Sequence, residues 1–176
     1  MGAKDVLTSH VKKAEQRYGL RTRKFHILKV QGRDNEIPET VPDGRDGCLV
    51  HYYRAAKHDP DRLRFQLSHE AIHVLLGSLK RECRYIEEGL AVWFSLGVSK
   101  ESYRKVAEDS LPKLFADALA LLRQANPTDE KIQNLRKLSP DLDKLEVQHL
   151  VNALSIDRDL AEKLHKRVPP DIALRT

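Results

Sequence analysis

The chain has 176 residues, of which 40% are hydrophobic and 32% charged, and its net charge at pH 7 is +5. This length and composition suit one globular domain and exclude wholesale disorder. No stretch approaches the roughly 20 apolar residues that a membrane-spanning helix needs, and residues 1–13 lack the apolar segment of a signal peptide. We therefore expect a cytoplasmic protein with no membrane span, in which Cys48 and Cys83 are reduced thiols.

Positive charge is concentrated at the start of the chain. Residues 1–34 carry nine basic and three acidic side chains. Such a segment can meet nucleic acid, an acidic partner or a membrane surface. Because no aromatic interleaving and no nucleic-acid motif accompany the charge, we favour a solvated helix face, although the charge alone leaves a nucleic-acid partner open.

The first part of the chain predicts a short β region between helices. Asp59 is a good N-cap, Pro60 suits the first position of a helix, and Gly77 suits its end. The intervening segment between the two strands is rich in glycine, proline and acids, which favours a loop. The elements predicted in this part are a helix over 4–18 that ends at Gly19, a strand over 24–30, a loop over 31–47, a strand over 48–54 and a helix over about 60–76.

The rest of the chain predicts helices only, so the fold class is α+β. Apolar residues at helical spacing predict amphipathic helices near the C-terminus, and we favour packing onto the preceding helices over a partner groove. The predicted elements are a helix over 85–96 that ends at Gly97, a helix that is capped by Ser99 and interrupted at Pro112, and three further helices that start at 126–128, 139–141 and 155–157.

Two histidines stand four residues apart in the otherwise apolar segment SHEAIHVLLG, residues 68–77. On a helix, His69 and His73 lie about 40° apart and point the same way, one turn apart. Glu70 lies about 100° around from His69, beside the same face. This spacing lets two neutral imidazoles bind zinc while the glutamate acts as a general base, whereas the alternative is a core helix with hydrogen-bonded histidines.

A catalytic zinc needs a third protein ligand, and the helix YIEEGLAVWF (residues 85–94) carries two acids near its start. If Glu88 points at the metal, small residues share its face and permit close helix packing. Glu87 instead shares its side with the bulky Leu90 and Phe94. We therefore predict Glu88 as the third ligand and Glu87 as the second choice. The alternative is that both acids only complement the helix dipole.

Together, HEAIHVLLG and YIEEGLAVWF resemble the paired signature of gluzincin metallopeptidases, over about residues 48–97. The resemblance implies a minimal zincin domain in which His69, His73 and Glu88 bind Zn²⁺ and Glu70 is the general base. It also implies that an edge strand, placed at 48–54, pairs with an extended substrate. The chain departs from better-known members because only 14 residues separate His73 from Glu88 and because a large N-terminal region is missing.

The family often carries a further Tyr or His that stabilises the oxyanion opposite the metal. Tyr103 is the first choice for this role. A carboxylate that orients a zinc-binding histidine is also expected, and Asp59, Glu108 and Asp109 are candidates. Spacing does not decide among the remaining oxyanion candidates, which are His51, Tyr52, Tyr53 and Tyr85.

The sequence thus predicts a zincin-like catalytic domain over residues 1–98 and a helical extension over 99–176, packed on it or continuous with it. The predicted function is zinc-dependent hydrolysis of peptide or protein amide bonds. The alternative is a zinc-bound, non-catalytic regulatory or scaffold module that binds a protein or nucleic-acid partner. The oligomeric state is not predicted.

Overall fold

A computed structural model describes residues 2–22, 25–34, 37–44, 46–77 and 83–168. These residues form eight α-helices, two short 3₁₀ helices and one three-stranded sheet, so the fold is α+β and mostly helical. Parts of the predicted strand over 24–30, the predicted loop over 31–47 and the predicted extension over 99–176 lie outside the described residues. No helix among the described residues is long and apolar enough to cross a membrane.

The order of the elements follows the predicted pattern of a helix, a β region and then helices. The elements are α1 (Ala3–Tyr18), β1 (His26–Arg33), β2 (Glu39–Asp43), β3 (Gly47–Tyr53), a 3₁₀ helix (Arg54–His58), α2 (Pro60–Leu76), α3 (Tyr85–Val98), α4 (Glu101–Asp109), α5 (Lys113–Gln124), α6 (Asp129–Leu138), a second 3₁₀ helix (Leu142–Lys144), α7 (Val147–Leu154) and α8 (Arg158–His165).

The bounds of α2 confirm the prediction made from its terminal residues. The Asp59 carboxylate accepts hydrogen bonds from the backbone N–H groups of Asp61 and Arg62, and Pro60 opens the helix. Gly77 ends it in the left-handed region, with φ of 72°, and its N–H donates to the carbonyl of His73. A residue with a side chain is strained in that region, so glycine suits this position.

The predicted loop over 31–47 is wrong, because it contains β2 and the end of β1. β2 pairs antiparallel with β3, and β1 pairs parallel with β3 on its other side. The strand order is therefore β1-β3-β2, which makes β3 the central strand. The prediction of an edge strand at 48–54 is also wrong, because both sides of β3 are already paired, and β2 is an edge strand instead.

Three predicted helix signals act differently in the structure. α3 continues through Gly97, and the N–H of Ser99 closes it by donating to the carbonyl of Ser95, so Ser99 ends α3 and does not cap α4. Asp141 caps a 3₁₀ helix, and α7 begins only at Val147. Thr128 and Asp157 confirm the other two predicted starts as N-caps of α6 and α8.

One hydrophobic core cluster contains residues from Leu7 in α1 to Leu164 in α8. The segments on either side of residue 98 share this core, and the division into 1–98 and 99–176 stays a prediction. A buried guanidinium also joins the end of α1 to α6. Arg136 in α6 donates to the backbone carbonyls of Tyr18, Gly19 and Leu20, at the end of α1 and just beyond it.

Gly89 allows α3 and α5 to approach closely. A Cβ added there would lie 2.6 Å from the carbonyl oxygen of Ala118, which is backbone and cannot rotate away. We expect Gly89→Ala to lower the free energy of unfolding by about 1–3 kcal/mol because the helices must separate. Gly97→Ala, in the same helix, meets only a side-chain nitrogen of Arg17, 3.2 Å away, and should cost less than Gly89→Ala. Urea unfolding of both variants measures the difference in free energy of unfolding. Equal losses in the two variants would contradict the close approach of α3 and α5 at Gly89.

His10 makes stability depend on pH. Burial, followed by the nearby charges of Lys13 and Arg64, lowers the pKa of His10 to about 4 in the folded protein. Between pH 6.5 and 4 the unfolded chain binds a proton that the folded protein does not, so stability falls as pH falls. Lowering the pH from about 7 to about 5 should reduce the free energy of unfolding of both proteins. We expect the reduction in His10→Leu to be about 2 kcal/mol smaller than in the wild type, as measured by urea unfolding. If the free energy of unfolding falls by the same amount in both proteins, His10 is not the cause of the pH dependence.

Candidate metal centre

The facing sides of α2 and α3 bury five ionisable side chains together. His69, Glu70 and His73 come from α2, and Glu87 and Glu88 come from the first turn of α3. Each is at most 8% exposed. Buried ionisable groups are costly unless they pair or bind a metal, so their concentration at one helix interface indicates a site rather than ordinary packing.

Three of these side chains direct nitrogen or oxygen donors at one point. The Nε2 atoms of His69 and His73 are 3.1 Å apart. The Glu88 carboxylate lies 3.2 Å from Nε2 of His69 and 3.7 Å from Nε2 of His73. The helical spacing of four residues aligns the two imidazoles, and the position of Glu88 on α3 places its carboxylate opposite them; its role as the third ligand stays a prediction.

Glu87 lies on the far side of His73. Its Oε1 is 2.8 Å from Nδ1 of His73, whereas Nε2 of that ring faces His69. A carboxylate cannot donate, so Nδ1 carries the proton and Nε2 of a neutral His73 keeps a lone pair facing His69 and Glu88. Glu87 therefore orients the imidazole and does not contact the shared point, which separates the roles of the two adjacent acids.

Glu70 is held next to the histidines by a residue of the edge strand. Thr40 in β2 donates from Oγ1 to Oε2 of Glu70 over 2.6 Å. The other carboxylate oxygen, Oε1, is buried and accepts no hydrogen bond from the residues that the structure describes. Donor atoms of His69, Glu70 and His73 all lie within 4.8 Å of one another. Glu70 thus has one oxygen fixed by the fold and one available.

The electrostatics of this cluster suit a cation. Burial opposes ionisation of Glu88, yet His73 and His69 hold its pKa down to about 2. Burial likewise opposes protonation of His73, but Glu88, Glu87 and Glu70 together raise its pKa to about 10. The carboxylates of Glu70, Glu87 and Glu88 therefore stabilise a positive charge next to the facing Nε2 atoms of His69 and His73. Either a proton or a bound cation meets that demand, and a set of two imidazoles and a carboxylate matches catalytic zinc sites.

Cys83 also contacts the cluster, which the sequence does not indicate. Its Sγ donates to Oε1 of Glu88 over 2.7 Å, and burial together with Glu88 and Glu87 raises the pKa of the thiol. Cys83 therefore stays protonated and holds one oxygen of the Glu88 carboxylate. The isolated position of this cysteine in the sequence gives no signal of that contact, which depends on the start of α3.

The residues predicted to stabilise the oxyanion or to orient a histidine lie at different distances from the cluster. Tyr103 lines a cavity of about 450 Å³ that also includes His69. His51 instead contacts Glu39 and Gln31. The carboxylate that contacts Nδ1 of His73 is Glu87, whereas Asp59 caps α2 and Glu108 pairs with Arg123.

No protein-family model matches this chain, and neither does any curated protein or solved structure. The resemblance to gluzincins stays a prediction. It is carried by the HEAIH and EEGLA segments and by the way in which α2 and α3 bring their side chains together.

Replacing the orienting carboxylate should weaken metal binding without removing a ligand. We expect Glu87→Gln to reduce the affinity for Zn²⁺ by about 10–100-fold, because the neutral amide no longer holds the proton of His73 on Nδ1 as strongly. Competition with a chelating dye measures the affinity. Glu108→Gln, which alters an acid paired with Arg123 outside the cluster, is the matched control. Equal affinities in the two variants would contradict the assignment of Glu87.

Proposed function

We propose that the protein is a zinc-dependent peptidase of the gluzincin type that hydrolyses amide bonds in peptides or proteins. One observation carries the proposal. Two imidazole nitrogens and the Glu88 carboxylate converge on one point, while a second carboxylate, Glu70, lies beside them with an oxygen that accepts no hydrogen bond from a described residue. Hydrolysis needs a base beside the ligands and Glu70 occupies that position, although its donor atoms also lie close enough to both histidines to bind the same ion.

The three proposed ligands are His69, His73 and Glu88. Their chemistry fits zinc, which favours imidazole nitrogen and carboxylate oxygen, and three protein ligands leave a position open for a reactant. A zinc ion bound there would polarise a substrate carbonyl and lower the pKa of a water molecule. Glu87 supports this assignment because histidine ligands commonly donate their second ring nitrogen to a carboxylate.

Glu70 is the proposed general base. Burial raises the pKa of Glu70, although His73 and His69 oppose the shift, and a raised value suits a group that both accepts and returns a proton. Thr40 holds Oε2, which leaves Oε1 to take the proton of the attacking water. The same carboxyl group then gives the proton to the leaving amine. Tyr103, in the cavity beside His69, is the proposed group for stabilising the oxyanion.

The edge strand supplies a natural path for an extended substrate. β2 pairs with β3 at one edge of the sheet, and Thr40 in this strand contacts Glu70. A peptide that adds to the other side of β2 by backbone hydrogen bonds would therefore pass next to the general base. The predicted substrate contact is thus transferred from residues 48–54 to Glu39–Asp43.

Removing the proton acceptor should abolish turnover and leave the metal in place. We expect Glu70→Gln to lower the rate of hydrolysis of a casein-derived peptide library by at least about 100-fold, because amide oxygen is a poor base. Zinc content, measured on the same samples, should stay stoichiometric because all three proposed ligands are retained in this variant.

Glu101→Gln, which changes an exposed acid at the start of α4, is the control and should keep the wild-type rate. Hydrolysis that survives Glu70→Gln would refute the general-base role. Stoichiometric zinc with no hydrolysis by the wild type would favour the non-catalytic regulatory or scaffold alternative.

A further inference from the structure

A buried thiol just before α3 contacts one of the proposed metal ligands. Cys83 precedes Arg84, the N-cap of α3, and its Sγ donates a hydrogen bond to Oε1 of Glu88 over 2.7 Å. Both side chains are buried, so water does not compete for this contact. A thiol is a weak donor, but an ionised carboxylate is a strong acceptor, and the low dielectric of the interior strengthens the bond between them. The thiol can therefore hold the carboxylate at a fixed angle.

The two oxygens of the Glu88 carboxylate have different surroundings. Oε1 accepts from the Cys83 thiol and lies 3.7 Å from Nε2 of His73. Oε2 lies closer to the imidazoles, 3.2 Å from Nε2 of His69. Oε2 is also buried, and it accepts no hydrogen bond from any residue that the structure describes. A buried oxygen without a donor is costly, and a cation held by the imidazoles would remove that cost. One oxygen is thus held by the protein and the other is directed at the proposed zinc position.

The backbone around Cys83 is fixed by the C-terminal end of the described chain. The carbonyl of Cys83 accepts from the N–H of Val168 over 2.8 Å, and the N–H of Tyr85 donates to the carbonyl of Lys166 over 3.0 Å. Between them, the Arg84 guanidinium donates to two backbone carbonyls of the segment that follows α6. Cys83 and Val168 also belong to the same small apolar cluster. The position of the thiol is therefore set from outside α2 and α3.

We propose that Cys83 is a positioning residue for the metal centre, whose thiol holds Oε1 of Glu88 so that Oε2 faces the two histidines. The inference rests on the zinc site of the proposed function, and it adds a residue that lies outside the HEAIH and EEGLA segments. A carboxylate without this donor can turn and offer both oxygens to one ion. The thiol prevents that turn, and so keeps the second oxygen away from the position that a reactant needs. Through Cys83, the C-terminal segment sets the arrangement of ligands on α2 and α3.

Zinc affinity in cysteine variants tests this role. Cys83→Ala removes the donor, whereas Cys83→Ser supplies a hydroxyl that also donates to a carboxylate. We expect Cys83→Ala to bind Zn²⁺ about 10-fold more weakly in competition with a chelating dye, and Cys83→Ser to bind within about 3-fold of the wild type. Cys48→Ala removes the other buried thiol, which lies in β3, and should keep the wild-type affinity. Equal losses in Cys83→Ala and Cys83→Ser, or in Cys83→Ala and Cys48→Ala, would overturn the proposal.

The infrared S–H stretching band gives a second readout that a purely structural role would not move. The chain has two cysteines, so Cys48→Ser leaves only the band of Cys83. Zinc withdraws negative charge from the Glu88 carboxylate, so the thiol donates less strongly and its band should move to higher frequency when Zn²⁺ is added. The band of Cys48, observed in Cys83→Ser, should stay in place. A Cys83 band that does not move on addition of Zn²⁺ would overturn the proposal.

The same measurements separate this inference from the proposed function. Zinc affinity that depends on the Cys83 donor, without peptide hydrolysis by the wild type, would support the positioning role and refute catalysis. Peptide hydrolysis that depends on Glu70, with the same zinc affinity in Cys83→Ala as in the wild type, would support catalysis and overturn the positioning role.

Discussion

The interface between α2 and α3 depends on charges that are buried together. His73 contacts Glu87 and Glu88, so neither acid is left as an isolated buried charge. Removing one partner of such a group typically costs about 3–5 kcal/mol, because the other charge stays buried without compensation. The contacts therefore fix how the two helices are placed relative to each other. Burial next to the apolar core strengthens the interactions inside the cluster.

Elements from distant parts of the chain hold this interface in place. Glycine at position 89 lets α3 lie close to the backbone of α5, next to the residue that directs its carboxylate at α2. From the opposite side, the short edge strand β2 brings Thr40 to Glu70. The site is therefore assembled from the sheet, the two central helices and the C-terminal helices, which agrees with a main core cluster that contains residues from α1 to α8.

Local signals predict the helices well because their evidence lies within one element. Asp59 and Gly77 mark the ends of α2, whereas the face of α3 on which Glu87 lies does not indicate its contact with Nδ1 of His73. Long-range contacts are not predictable in this way. β2 is short, contains a proline and has an acid at each end, so only its pairing with β3 makes it a strand. The roles of Thr40 and Cys83 depend on neighbours brought together by folding, and no spacing rule encodes them.

Arg136 has a consequence for how the protein is made. Its guanidinium binds three carbonyls at the end of α1, yet 116 to 118 residues separate the partners along the chain. A ribosome that adds roughly 5–20 residues per second releases α1 several seconds before α6 exists. During that interval the apolar face of α1 has no completed core to cover it. The three hydrogen bonds that Arg136 donates at the end of α1 can therefore form only after most of the chain has been synthesised.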